Sequence, residues 1–142
     1  MSFEDEVRET IQKARAARVQ HEQEGVDFES SWLAMREKAV WGIFHEAMRA
    51  FKAEQIAAHT ELINGSIVLS AVYDNRNDRF RYSLTLRSDK EKRLVICSSN
   101  ISEIENESFS LGHLTQDVIH RKIRQFADLI ARGDAPRTPL AF

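Results

Sequence analysis

A chain of 142 residues with 42% hydrophobic residues, 30% charged residues and a formal net charge of −2 has the composition of an ordinary soluble globule. That excludes a disordered segment and a polycationic coat for nucleic acid. No apolar run approaches the roughly 18 residues that a spanning helix needs, the start Phe3-Glu4-Asp5-Glu6 is acidic where a secretion signal is basic, and the single cysteine, Cys97, precludes an internal disulfide. The expectation is a cytoplasmic protein with no membrane contact: one α+β domain over 1–134 and a tail over 135–142.

Ser2-Phe3-Glu4-Asp5 has the pattern of a capping box, with Glu4, Asp5 and Glu6 at the positive end of the helix dipole. Phe3, Val7, Ile11 and Ala14 form a thin one-sided stripe that fades into Ala17, Arg18 and His21, and Gly25 stands where a left-handed C-terminal residue belongs. Asp27 then caps a second, longer helix that reads to Leu62. Only Gly25 and Val26 separate the two, so the pattern predicts an antiparallel helix pair that sets Ile11 near Val40, Val7 near Phe44 and Phe3 near Met48.

Within the second helix, Trp32, Met35, Ala39 and Ile43 recur at helical steps, and Val40, Phe44, Met48 and Phe51 recur on another side. A helix apolar on two sides should be contacted from two directions. Gly42, in its middle, marks a close approach or a mild kink. At about 1.5 Å per residue the helix would reach roughly 50 Å, whereas a compact chain of this size has a radius of gyration of about 14 to 15 Å. A kink at Gly42, an end near His59, or cover from a second copy would reconcile the two.

Asn64-Gly65 stops the helix, and the period changes to two. Ile67, Leu69, Ala71 and Tyr73 alternate with Val68, Ser70 and Val72; after the polar run 74–78, Phe80, Tyr82, Leu84 and Leu86 point inward while Arg79, Arg81, Ser83, Thr85 and Arg87 point outward. Ser88-Asp89-Lys90-Glu91 closes a hairpin onto a third strand, Arg93 to Ser98, and Ile101 to Phe109 reads as a short fourth strand whose Glu103, Glu105 and Glu107 make an acidic rim. From about Leu114 the helical period returns through Val118, Ile119, Ile123, Phe126, Leu129 and Ile130, and Gly133 ends it. The predicted fold is therefore α+β: an N-terminal antiparallel helix pair, a three- to four-stranded antiparallel meander, and a C-terminal helix packed on the sheet.

Two constellations carry chemistry. His113, Asp117 and His120, at i, i+4 and i+7, would set two imidazoles and a carboxylate on one helix face as a metal site requires, and a polar solvent face is the competing reading. Arg76, Arg79, Arg81, Arg87, Lys92 and Arg93 crowd one strand face and its turns and could follow a phosphate backbone, although Phe80 and Tyr82 alternate away from that face and leave no ring for base stacking. Its competing reading is a solvated face whose arginines pair with the acidic rim or with the first helix. His45-Glu46 has Arg49 where a zinc-protease helix needs histidine, Cys97 has no neighbouring base, and the glycines form no phosphate cradle.

No residue set assigns a catalytic group or a cofactor. The expectation is a non-enzymatic protein-interaction module that self-associates as a homodimer. A nucleic-acid-binding or regulatory protein using the arginine face is the alternative from another class. An enzyme or small-ligand binder, with a pocket between helices and sheet, is the third.

Overall fold

The computed structural model describes residues 2–75 and 78–133; Arg76 and the tail 135–142 lie outside them. The chain runs α1 (Phe3–Met35), a five-residue π turn (Arg36–Val40), α2 (Trp41–Ala53), β1 (Ala57–Ile63), β2 (Ser66–Asn75), β3 (Asp78–Asp89), β4 (Leu94–Ser99), β5 (Glu107–Phe109) and α3 (Gln116–Ala131). The five strands form one antiparallel sheet in sequence order. The α+β class, the meander and the C-terminal helix follow the sequence pattern; the helix pair does not.

Instead of a hairpin, one continuous rod runs from Phe3 to Ala53, roughly 75 Å at about 1.5 Å per residue. Gly25 lies inside it and is buried, and a Cβ there would stand 3.2 Å from both Cγ and Cε of Lys90. Its missing side chain therefore admits the β3–β4 turn against the helix and ends nothing. Asp27 caps no helix, since its Oδ1 accepts from the Gln23 side chain at 3.0 Å, one turn earlier in the same helix. Only the start is as read, where Ser2 Oγ accepts the Asp5 amide at 3.2 Å.

The two apolar faces expected in the middle of the rod are largely one. Phe28, Trp32, Arg36, Val40 and Phe44 are all buried, a stripe that recurs every fourth residue. In a pure α-helix four residues overshoot a turn by about 40°, so such a stripe would wind off the sheet within a few turns. The π turn, in which the Trp41 amide reaches back to the Arg36 carbonyl, winds more residues into one turn and returns the stripe to the core. The irregularity thus sits at 36–40 and not at Gly42, where an added Cβ would meet nothing within 4 Å.

α2 ends at Ala53, well before Leu62. Gln55 takes the left-handed conformation (φ 65°), and its amide bonds to Lys52 O at 3.1 Å while the Ile56 amide bonds to Phe51 O at 2.9 Å. This is a Schellman stop with its usual apolar clasp, here between the buried Phe51 and Ile56. The Ala57–Ile63 stretch, expected as helix, is the edge strand β1, paired from Ala57↔Val72 to Ile63↔Ser66. At the other edge the expected strand 101–109 shrinks to Glu107–Phe109. Ile101 and Ile104 are buried in the turn before it.

Register puts Ile67, Leu69, Ala71, Tyr82, Leu84, Leu86, Val95 and Cys97 on one face of the sheet, all buried under the π turn, α2 and α3. The centre of this interface is filled. The void among Phe44, Leu84, Cys97, Leu114 and Ile119 measures about 10 Å³, about one water-sized probe at most.

Candidate functional site

The second half of the rod is fastened to the hairpin ends. Trp32 Nε1 donates to Gly65 O at 2.7 Å, and Arg36, a buried cation on the apolar stripe, donates from Nη1 to Ser66 O at 3.2 Å and to Asn64 O. Both serve the tight β1–β2 turn, where Asn64 has φ 50°. Farther along, Ser88 Oγ donates to Glu29 Oε1 at 3.1 Å. The last attachments are the Arg93–Glu24 ion pair and the contact of His21 Nε2 with Glu91 at 3.4 Å.

Beyond these the helix is an arm. Every residue from Phe3 to Gln20 is exposed, with Phe3 at 79% and Ile11 at 45%. The arm is not uniformly polar. Val7, Ile11, Ala14, Arg18, His21, Gly25, Phe28 and Trp32 follow one another at alternating steps of four and three, so its stripe continues the face that packs on the sheet. Ion pairs brace its flanks, Arg8–Glu4 at 3.1 Å, Lys13–Glu9 at 3.1 Å and Arg18–Glu22 at 3.2 Å. Each contributes only a few tenths of a kcal/mol, about 0.2–0.5, to a helix that short segments in water hold marginally.

A second uncovered apolar feature lies where α2 and α3 meet the end of the sheet, since Ile56 and Tyr73 border it. α2 and α3 run side by side, with the Phe51 and Phe126 rings meeting edge to face at 6.0 Å. Between them opens a groove of about 590 Å³, walled by Ala47, Ala50, Ile56, Tyr73, Ile123 and Ala127. A stretch of about 290 Å³ reaches Ile43 and His120. Arg124 borders both. The alanines make it a groove, and their sequence signal is small residues on the flank of each core stripe; no attention to titratable groups would have found them.

The arginine face is partly as read. Arg79, Arg81 and Arg87 occupy alternate positions of β3 on the sheet face turned away from the helices, with Arg81 opposite Val72 and Arg87 opposite Ile96. Phe80 and Tyr82 lie on the helix side, their rings 6.3 Å apart. Arg93 is drawn off to Glu24 on the rod, and Lys92 lies in the β3–β4 turn, its amide bonded to Asp89 at 3.2 Å. Of the acidic rim, Glu107 pairs with Lys122 at 3.1 Å and Arg121 at 3.8 Å, both on α3.

His113, Asp117 and His120 are not brought together. His113 precedes the Thr115 cap and bonds through Nδ1 to Ser110 Oγ at 2.8 Å, Asp117 is exposed in the first turn of α3, and His120 turns into the groove beside Ile43. Among the described residues no three His, Cys, Asp or Glu side chains gather closely enough to hold a metal ion. Cys97 is buried in the core, and burial pushes its thiol up to about 11, away from the thiolate that nucleophilic chemistry needs. No helix among the described residues is long and apolar enough to cross a membrane. Comparison of the chain with protein-family models, with curated proteins and with solved structures found no match.

Proposed function

We propose that this chain is a non-enzymatic protein-interaction module that self-associates through its N-terminal helical arm. The observation that carries the reading is the arm itself: a helix from Phe3 to Gln20 with an apolar stripe and no cover. Surface bookkeeping supports it. The accessible area is 9088 Å², where a compact monomer of this mass exposes about 7,500 Å². The excess, to which the arm contributes, is more than the roughly 800 Å² that each partner gives up in a stable interface. Light scattering behind size exclusion at micromolar concentration tests it: the wild type should run as a dimer or larger, and Val7→Asp with Ile11→Asp as a monomer. A monomeric wild type would end the reading.

A second reading keeps the open sheet face as a nucleic-acid surface, supported by Arg79, Arg81 and Arg87 sharing it. Binding would then weaken steeply with salt, since each neutralised phosphate releases counterions. Arg79→Glu with Arg81→Glu would abolish it, and no binding to DNA or RNA at about 50 mM salt would dispose of it.

A further inference from the structure

The chain carries two uncovered apolar features, one convex and one concave, and their dimensions match. The arm stripe runs from Phe3 to Ala14 and the groove along α2 from Ile43 to Glu54; each covers the same number of residues and so about 16 Å of helix. Their side chains are complementary in size. The arm offers Phe3, Val7 and Ile11, all exposed, while the groove walls are cut back to Ala47, Ala50, Ala127 and Ala131. An apolar helix face laid into such a groove is a recurrent recognition mode, with anchors at steps of three and four. Of the charged residues that border the groove, Glu46, Glu54 and Arg124, the arginine has no ionic partner among the described residues, and neither has Glu6 on the flank of the stripe, so one pair is open to the two surfaces.

We propose that the groove between α2 and α3 receives the α1 arm of a second copy of this chain. Phe3, Val7 and Ile11 seat over Ala47, Ala50 and Ala127, and Glu6 comes within reach of Arg124. The proposal rests on the self-association reading and specifies its docking surface. Because each copy presents both an arm and a groove, two copies can satisfy each other reciprocally, as closed symmetry requires.

Cysteine pairing tests it, since a disulfide forms only where two Cα atoms come within about 7 Å and the native Cys97 is buried with its thiol held protonated. Val7→Cys is combined in turn with Ala47→Cys, Ala50→Cys and Ala127→Cys in the full chain. At least one pair should give an interchain disulfide on oxidation, absent from either single variant. Ala50→Trp with Ala127→Trp, which fills the groove, should weaken self-association at least tenfold while leaving the circular dichroism spectrum unchanged. Two results would overturn the inference and leave the self-association reading standing: an oligomer unaffected by the filled groove, or cross-linking by Val7→Cys alone without any mixed product. A wild type that is monomeric by light scattering would remove both.

Discussion

Residues 3–20 and residues 28–51 belong to one helical rod and share one face, apolar except where Arg18, His21 and Arg36 interrupt it, yet the second stretch packs against a sheet and the first touches nothing among the described residues. The difference is in what stands opposite. Trp32 and Arg36 find the carbonyls of the β1–β2 turn, and Phe44 finds Leu84, Cys97 and Leu114. Phe3 and Val7 find water. Periodicity announces which side of a helix seeks cover and is silent about what supplies it. Helix stability in the covered half comes from tertiary packing, whereas the arm relies on its cap, its flanking ion pairs and its continuity with the half that is packed.

The largest way to sharpen this contrast is Phe44→Ala. It should cost about 3–5 kcal/mol in urea unfolding, the transfer of a buried ring plus the cavity left behind, while the matching Phe3→Ala should change the unfolding midpoint of dilute protein by less than about 0.5 kcal/mol. A similar cost at both positions would show the arm to be packed even in the isolated chain. Next is Arg36→Leu, which removes the donor to Asn64 O and Ser66 O. A loss of about 1–3 kcal/mol is expected from stranding carbonyls beside the core; no loss would mean that water serves the turn equally well.

A third test reads the covered half by pH. The Cys97 thiol, raised by burial from 9.0 to about 11, favours the native state fully below pH 9 and loses that advantage as pH rises through 11, because the unfolded chain ionises first. Wild-type stability should therefore fall more steeply over that window than the stability of Cys97→Ala, in paired urea titrations. Parallel curves would show the thiol to be solvated. The smallest effect belongs to the arm: Lys13→Ala breaks the pair with Glu9 and should lower stability by no more than about 0.5 kcal/mol, seen as a slight loss of helical circular dichroism without a shift of the main transition.

The meander and α3 were legible because their alternation and their caps are local. Gly133, at φ 82°, ends α3 as the pattern predicts, and the start expected from about Leu114 falls at the Thr115 cap, where the Val118 amide meets Oγ1 at 3.3 Å. The N-terminal half departs from its sequence pattern for equally physical reasons. Gly25 serves a close approach of Lys90 that lies 65 residues away in sequence and is indistinguishable from a C-cap glycine by composition. The true stop rests on a left-handed Gln55, a residue type that carries none of the glycine or asparagine signal. β1 reads as helix because Ala57, Ala58 and Glu61 favour helices, and pairing with β2 overrides that preference. As for the site, the histidine and arginine clusters drew attention by charge, whereas the groove is built from alanines, and the shape between two helices has no one-dimensional signature.

The attachments at the base of the arm have a mechanical consequence. Between His21 and Phe3 the helix extends about 27 Å, so the point where Arg93 meets Glu24 and Lys90 meets Gly25 acts as the fulcrum of a lever. Each degree of tilt there carries Phe3 through roughly half an ångström. In a self-associated form that angle governs how far apart two bodies stand, and the β3–β4 turn sets it from a distance. Substitutions at Lys90 or Arg93 would then alter the spacing of an assembly without removing a single contact at its interface, and because the Arg93–Glu24 pair is exposed, so would salt.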